Sequence, residues 1–368
     1  MYRTHIALFV FALIGNVAIA EDDTSWNRLT FQAGTHYGRL LPHHKTIAYF
    51  LEDPIKGFEL NAGLQTDGSK YWHKHYNYPK IGLGIYHSNL GNNNIFGKIT
   101  SVYGFLDRRY FPITSRINFS SRLDFGVSYI SKKYDLYNNS FDVAISSHLN
   151  VFINLSGVLS ARLTEHWRMN MGVGVSHASN GRYNEPNKGF NLCTGFVGLE
   201  YSLAKINRPF KSIPVDDSNV HKNQFLISFS YGRKQISRRY AEHFSVEALS
   251  LEYGRRISPT HFLGFSLNTY YDPSIIKELK AKEEKYHQSD SWRVSFNPSF
   301  DMQMGKLSYV FQPGIYLLNK YKEDGNLSNR IGLRYQLPAN LTASVFIKAH
   351  WPAVADFIEW GIGYNFKN

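Results

Sequence analysis

The stretch Trp167-Arg168-Met169-Asn170-Met171-Gly172-Val173-Gly174-Val175-Ser176-His177-Ala178-Ser179 decides the fold. Trp167, Met169, Met171, Val173 and Val175 are apolar, while Arg168, Asn170, Gly172, Gly174 and Ser176 between them are polar or glycine. A period of two is the mark of a β-strand with one greasy and one wet face. The same alternation runs through Ile117, Phe119, Leu123, Phe125, Val127 and Tyr129, and through Leu149, Val151, Ile153, Leu155 and Leu159. It returns in Trp292, Val294, Phe296 and Phe300, and at the C-terminal end in Ile358, Trp360, Ile362, Tyr364 and Phe366. A soluble sandwich alternates too, but its strands usually stop at about five to six residues. These runs reach the ~9–11 residues that a tilted strand needs to cross a bilayer. Lipid leaves no backbone group a water partner, so strands that span it must close on themselves. The predicted fold is all-β, a transmembrane antiparallel β-barrel.

Composition agrees. No stretch approaches the ~20 consecutive apolar residues of a membrane helix, and the mean hydropathy is −0.34. A barrel gives such a value because its lipid-facing and lumenal residues cancel. Aromatic residues make up 15%, with 25 Tyr and 26 Phe, as the girdles at barrel rims require. Residues 1–20 read as a signal peptide: Arg3, the apolar run Ile6 to Gly15, and Ala18-Ile19-Ala20 before the acidic Glu21-Asp22-Asp23. Export across the inner membrane to the outer membrane of a Gram-negative cell is therefore expected. With Cys193 as the only cysteine, no internal disulfide is available. The net charge of +12 suits an acidic partner. Nucleic acid is excluded as that partner behind a signal peptide and without a compact Lys/Arg run, which leaves an anionic glycolipid surface.

About eight candidate strands lie between Asn27 and Leu203, and about eight more between Gln224 and Phe366. Residues 21–205 form one barrel region and 223–368 a second strand-rich region. Residues 206–222, with Pro209 and Pro214, read as a linker or long turn. Two eight-stranded barrels, or one barrel of about twelve to sixteen strands, both fit this pattern. A faint duplication sets Arg162-Leu163-Thr164-Glu165-His166 beside Arg256-Ile257-Ser258-Pro259-Thr260-His261. It would bring Asp272 onto His177 and Ser274 onto Ser179, although the face bearing Asp272 is polar.

Continuing the period of the opening stretch puts His177 and Ser179 on its apolar, lipid-side face at the strand end. An imidazole and a hydroxyl there cost desolvation energy unless they pair or do chemistry. Residues two apart on a strand point the same way, so the two can share a hydrogen bond. Histidine titrates near neutral pH and can take the proton of a serine nucleophile. A base facing a serine on the lipid side is set against a substrate that lies in the membrane. Cleavage of an ester-linked acyl chain through an acyl-enzyme on Ser179 is the chemistry this suggests. The bare His-x-Ser spacing is weak by itself, since a rim histidine or serine also meets headgroups and water.

The longer run His177-Ala178-Ser179-Asn180-Gly181, then Pro186-Asn187-Lys188-Gly189, then Asn191, resembles the outer-membrane lipid A 3-O-deacylase family, also called acyloxyacyl hydrolases. That family carries His-x-Ser-Asn near a strand end, followed at this spacing by a loop with Pro-Asn-x-Gly. The likeness covers about Asn27 to Leu203. It implies an eight-stranded barrel that removes the 3-hydroxyacyl chain from position 3 of lipid A. It also implies Ser179 as nucleophile and His177 as base. Asn180 and Asn187 match family asparagines and are candidates for oxyanion stabilisation, while Asn180-Gly181 and Asn187-Lys188-Gly189 are also good turn formers.

The chain departs from the family at Asn191, where the orienting acid belongs. Asn191 shares a face with Cys193, Val197 and Leu199, which points it outward and toward His177. A carboxamide oxygen can orient an imidazole, although it stabilises the imidazolium less than a carboxylate. Glu185, in the intervening loop, is an alternative acid if the loop folds back. Cys193 has no base on its own strand and reads as a small apolar residue. No metal or cofactor is expected, and the expected partner is lipid A or lipopolysaccharide in the membrane. The rival readings are a transport pore and a silent structural barrel.

Overall fold

A computed structural model describes residues 26–42, 44–206, 222–238, 242–350 and 354–367. The expected signal peptide and nearly all of the expected linker lie outside the described residues. The chain divides into two compact units, residues 1–180 with 186–213, and residues 181–185 with 214–368. Each holds one closed barrel of eight antiparallel strands, so of the two architectures the sequence allowed, the pair of eight-stranded barrels is the one found.

The first barrel is built from β1 (Leu29–Leu40), β2 (Ile55–Gln65), β3 (Lys80–Asn89), β4 (Lys98–Arg109), β5 (Ile117–Ile130), β6 (Leu149–Arg162), β7 (Trp167–Ser179) and β8 (Phe190–Ser202). Neighbours in sequence pair, and β8 closes onto β1 with Leu40 opposite Leu192 and Thr30 opposite Ser202. The predicted apolar positions do face outward: Phe119, Leu155, Met171, Val173 and Val175 are exposed. Such a band is what a bilayer covers.

The positions that alternate with these along each strand fill the interior. Arg122 Nε donates to Asp124 Oδ1 at 2.7 Å, and Asn154 Nδ2 donates to Asp124 Oδ2 at 2.7 Å. Gln32 Nε2 donates to Glu59 Oε1 at 2.7 Å, and Asn170 Nδ2 to Gln32 Oε1 at 2.8 Å. Lys80 pairs with Glu200. Buried charges are tolerable only when matched in this way. Eight strands leave an interior just wide enough for side chains, and here a polar network occupies it.

The end of the barrel bearing Ser179 is closed differently. Connections 41–54, 90–97 and 131–148 send Ile47, Leu90, Phe96, Ala144 and Ile145 inward. They pack on Ile99, Ile130, Phe152, Ala178, Phe190 and Leu192 from the strand ends. The result is an apolar plug above a polar lumen.

The second barrel comprises β9 (Asn223–Lys234), β10 (Phe244–Ser258), β11 (His261–Tyr271), β12 (Trp292–Met304), β13 (Leu307–Leu318), β14 (Leu327–Gln336), β15 (Leu341–His350) and β16 (Val354–Lys367). Its lumen holds Arg330 against Glu359, and Arg334 between Glu252 and Asp301. At one end Lys234 Nζ lies 2.6 Å from both Asp272 Oδ2 and Asp356 Oδ1. The suggested duplication does not correspond in topology. The histidine-bearing turn of the first barrel joins its sixth and seventh strands, whereas Arg256 to His261 joins the second and third of the other. Asp272 is buried in an ion cluster, and Ser274 Oγ donates to its Oδ1 at 2.5 Å at the start of the helix Ser274–Ala281.

Candidate active site

Pairing on both sides fixes the direction in which β7 presents its last residues. Ala178 lies opposite Phe152 on β6 and Phe190 on β8, and all three are buried in the apolar plug. Period two then forces His177 and Ser179 outward, onto the face of Val173 and Val175. The same register sets His177 between Ile153 and Asn191, and Ser179 beside Val151. Cys193 is two residues further along this outer face, opposite Val175, and is half-buried as a small packing residue.

Three of the residues singled out from sequence come together. Ser179 Oγ and His177 Nε2 are 3.0 Å apart, and His177 Nδ1 and Asn191 Oδ1 are 2.7 Å apart. A carboxamide oxygen only accepts, so the Nδ1–H of His177 donates to Asn191. In the neutral imidazole Nε2 is then the unprotonated nitrogen, to which the Ser179 hydroxyl can donate. Asn191 thus stands where the orienting acid was expected to be missing. Its own backbone oxygen accepts from Leu41 N at 2.7 Å, which ties β8 to the connection after β1.

The two other asparagines act on the 180–189 connection. Asn180 N donates to Asn187 Oδ1 at 3.1 Å, and Asn180 Nδ2 donates to Ser146 Oγ at 3.4 Å. The backbone N–H of Asn180 is therefore engaged by Asn187, in keeping with the turn chemistry expected of that pair. Gly189 has φ +75° and donates its N–H to Ala144 O at 2.8 Å. A Cβ at Gly189 would lie 2.8 Å from His177 Cε1 and 3.3 Å from Ser179 Cβ. Glycine is required there on both counts, backbone conformation and close approach. Glu185 belongs with the second unit, where its Oε1 lies 3.2 Å from Arg182 Nε. Arg182 in turn reaches Glu278 at 3.4 Å and Asp356 at 3.7 Å.

Sequence reading overlooked the contribution of the 131–148 connection. Asp142, Ala144 and Ser146 lie in a stretch without periodicity, and nothing short of the folded register brings them to Asn180 and Gly189. The one local cue was Asp142 followed closely by two small residues, a pattern that favours an Asx turn.

A histidine standing between a serine hydroxyl and an amide oxygen is an arrangement used by acyl-transfer hydrolases, and here it faces the lipid side of a closed barrel. That defines the class, a membrane β-barrel with a hydrolase-like outer face. Residues 56–200 match the family model described as lipid A 3-O-deacylase (PagL), and residues 223–368 match the one described as acyloxyacyl hydrolase, C-terminal domain. The chain belongs to the lipid A 3-O-deacylase family, whose members are hydrolases. The likeness thus continues past Leu203, where the motif-based resemblance stopped, and takes in the second barrel.

No curated protein matches the chain. Among solved structures, Neisserial surface protein A is similar over 47% of this chain and 96% of its own, with 9% identity and a TM-score of 0.32. CdiB from Acinetobacter baumannii is similar over 92% of this chain and 60% of its own, with 8% identity and a TM-score of 0.19. A bacterial polysaccharide outer membrane secretin is similar over 93% and 99%, with 10% identity and a TM-score of 0.20. Family membership and closed barrels with apolar outer bands point to the outer membrane.

Proposed function

We propose that the first barrel is a serine esterase that removes the ester-linked 3-hydroxyacyl chain from position 3 of lipid A. The observation that carries this reading is the 3.0 Å contact between Ser179 Oγ and His177 Nε2 on the lipid-facing side of β7. Lipid A or whole lipopolysaccharide approaches from the leaflet, its acyl chains against the outer wall near Val173 and Val175. His177 Nε2 takes the hydroxyl proton as Oγ attacks the ester carbonyl. Asn191 Oδ1 holds the imidazole in the required tautomer through the Nδ1–H. Collapse of the tetrahedral intermediate breaks the bond to the sugar oxygen, which takes the proton from His177 and leaves as a hydroxyl. Water, activated by the same nitrogen, then releases the 3-hydroxy fatty acid and restores Ser179.

Asn180 follows the nucleophile directly, and its carboxamide is the candidate donor to the developing oxyanion. Asn187, which accepts from Asn180 N, holds that residue in place. Both lumens are filled by matched charges, so neither eight-stranded barrel offers the open polar channel of a pore.

The test is release of 3-hydroxy fatty acid from purified lipid A, followed by mass spectrometry. Ser179→Ala is expected to lower the rate by at least about 10³-fold, as loss of a nucleophile does elsewhere. Unchanged release by that variant overturns the assignment.

A further inference from the structure

Beside the trio, the first barrel buries a carboxyl group that the proposed chemistry does not use. Asp142 lies in the 131–148 connection and is 0% exposed. Its Oδ1 accepts from Ala144 N at 3.1 Å and from Ile145 N at 3.4 Å. Its Oδ2 is buried and has no hydrogen-bond partner among the described residues. Burial pushes the carboxyl up to about 7, against the pull of the two amide bonds. A carboxyl so enclosed is costly wherever it stands.

The turn it makes grips both flanks of the site. Ala144 O accepts from Gly189 N at 2.8 Å, and Ser146 Oγ accepts from Asn180 Nδ2 at 3.4 Å. Asn180 is the residue after Ser179. Gly189 lies so near the imidazole that a methyl group there would press on His177 Cε1. The side chains of Ala144 and Ile145 are both fully buried in the plug that also contains Ala178, the residue between His177 and Ser179. One carboxyl oxygen thus shapes a five-residue turn that bonds Asn180 and Gly189 on either side of the 180–189 connection and shares an apolar cluster with Ala178 of β7.

We propose that Asp142 is a positioning residue for the His177–Ser179 pair, acting through Ala144 on Gly189 and through Ser146 on Asn180. The inference rests on Ser179 being the nucleophile, and the controls separate the two claims. Small displacements of reacting groups cost rate steeply while leaving binding nearly untouched. The experiment uses the full chain in lipid A-containing vesicles, with rates normalised to the folded fraction. Asp142→Ala should lower kcat about tenfold with KM within about twofold. Asp142→Asn keeps the accepting oxygen and should restore kcat to within about threefold of the parent. Ser146→Ala removes one of the two grips, leaves Asp142 in place, and should lower kcat about threefold; it decides the matter if Asp142→Ala does not close its barrel. Parental kcat in both Asp142→Ala and Ser146→Ala, or equal losses in Asp142→Ala and Asp142→Asn, overturns the inference while Ser179→Ala remains inactive. An active Ser179→Ala protein would instead overturn the site reading, and this inference with it.

Discussion

Both barrels carry a histidine near the end of their seventh strand, and the two have opposite surroundings. His177 on β7 faces outward, between a hydroxyl and a carboxamide, with neutral partners on both nitrogens. His350 on β15 faces inward and is 3% exposed. Its Nε2 lies 3.2 Å from Asp356 and 3.5 Å from Asp324, and its Nδ1 lies 3.1 Å from Tyr316 Oη. Lys348, two residues earlier, is held 2.6 Å from the same Asp356. A register shift between Lys348 and Ala349 breaks the alternation there, and both residues are buried. No such shift interrupts β7, whose parity runs intact to Ser179. One strand-end histidine is therefore offered to the membrane, and the other is locked into an ion cluster. The lesson is that parity, more than residue type, decides whether a strand-end histidine lies on the outer face or among the lumenal charges.

The contrast can be broken most sharply by exchanging which histidine is lost. His177→Ala should lower deacylation by about 10³-fold while leaving the barrel folded. His350→Ala should leave kcat within about twofold but lower the unfolding midpoint in denaturant, since it leaves buried carboxylates short of a partner at a cost of about 1–3 kcal/mol. Loss of activity in both, with folding intact, would erase the distinction. Next in size is Gly189→Ala. At φ +75°, with the new methyl 2.8 Å from His177 Cε1, it should cost about 10²-fold in kcat. Parental kinetics would show that the imidazole has room to yield. The smallest effect belongs to Asn191, which tests whether neutral surroundings suit the outward histidine. Asn191→Asp replaces the amide oxygen with a carboxylate of the same reach and should raise kcat severalfold, because it stabilises the imidazolium better. Asn191→Glu, which restores the acid of the family motif, should preserve or raise activity. A large loss in both acidic variants would show that the amide has its own role.

How far this was legible beforehand depended on range. The outward parity of His177 and Ser179 followed from five apolar residues at alternate positions, because a strand's faces are a local property. The outward face of Asn191 was read in the same way, from Cys193, Val197 and Leu199. That the strands close was legible, but where each barrel closes was not. Whether Leu192 pairs with Leu40 or the chain runs on into a wider sheet is a matter of long-range register, which alternation does not encode. Nor was the plug. Ile47, Phe96 and Ile145 sit in connections without a period, and their burial depends on three loops meeting over one lumen. Glu185 shows the converse. Its distance from His177 along the chain is short, yet its partner is Arg182.

The outward turn of Ser179 also sets the dimensionality of the encounter. On the proposed function, a nucleophile on the wall of a closed barrel has no mouth through which substrate enters, so a lipid would have to drift to it sideways within its own leaflet. Turnover would then follow the surface mole fraction of the ester more closely than its bulk concentration. The liberated fatty acid would be shed into the layer that delivers the next molecule.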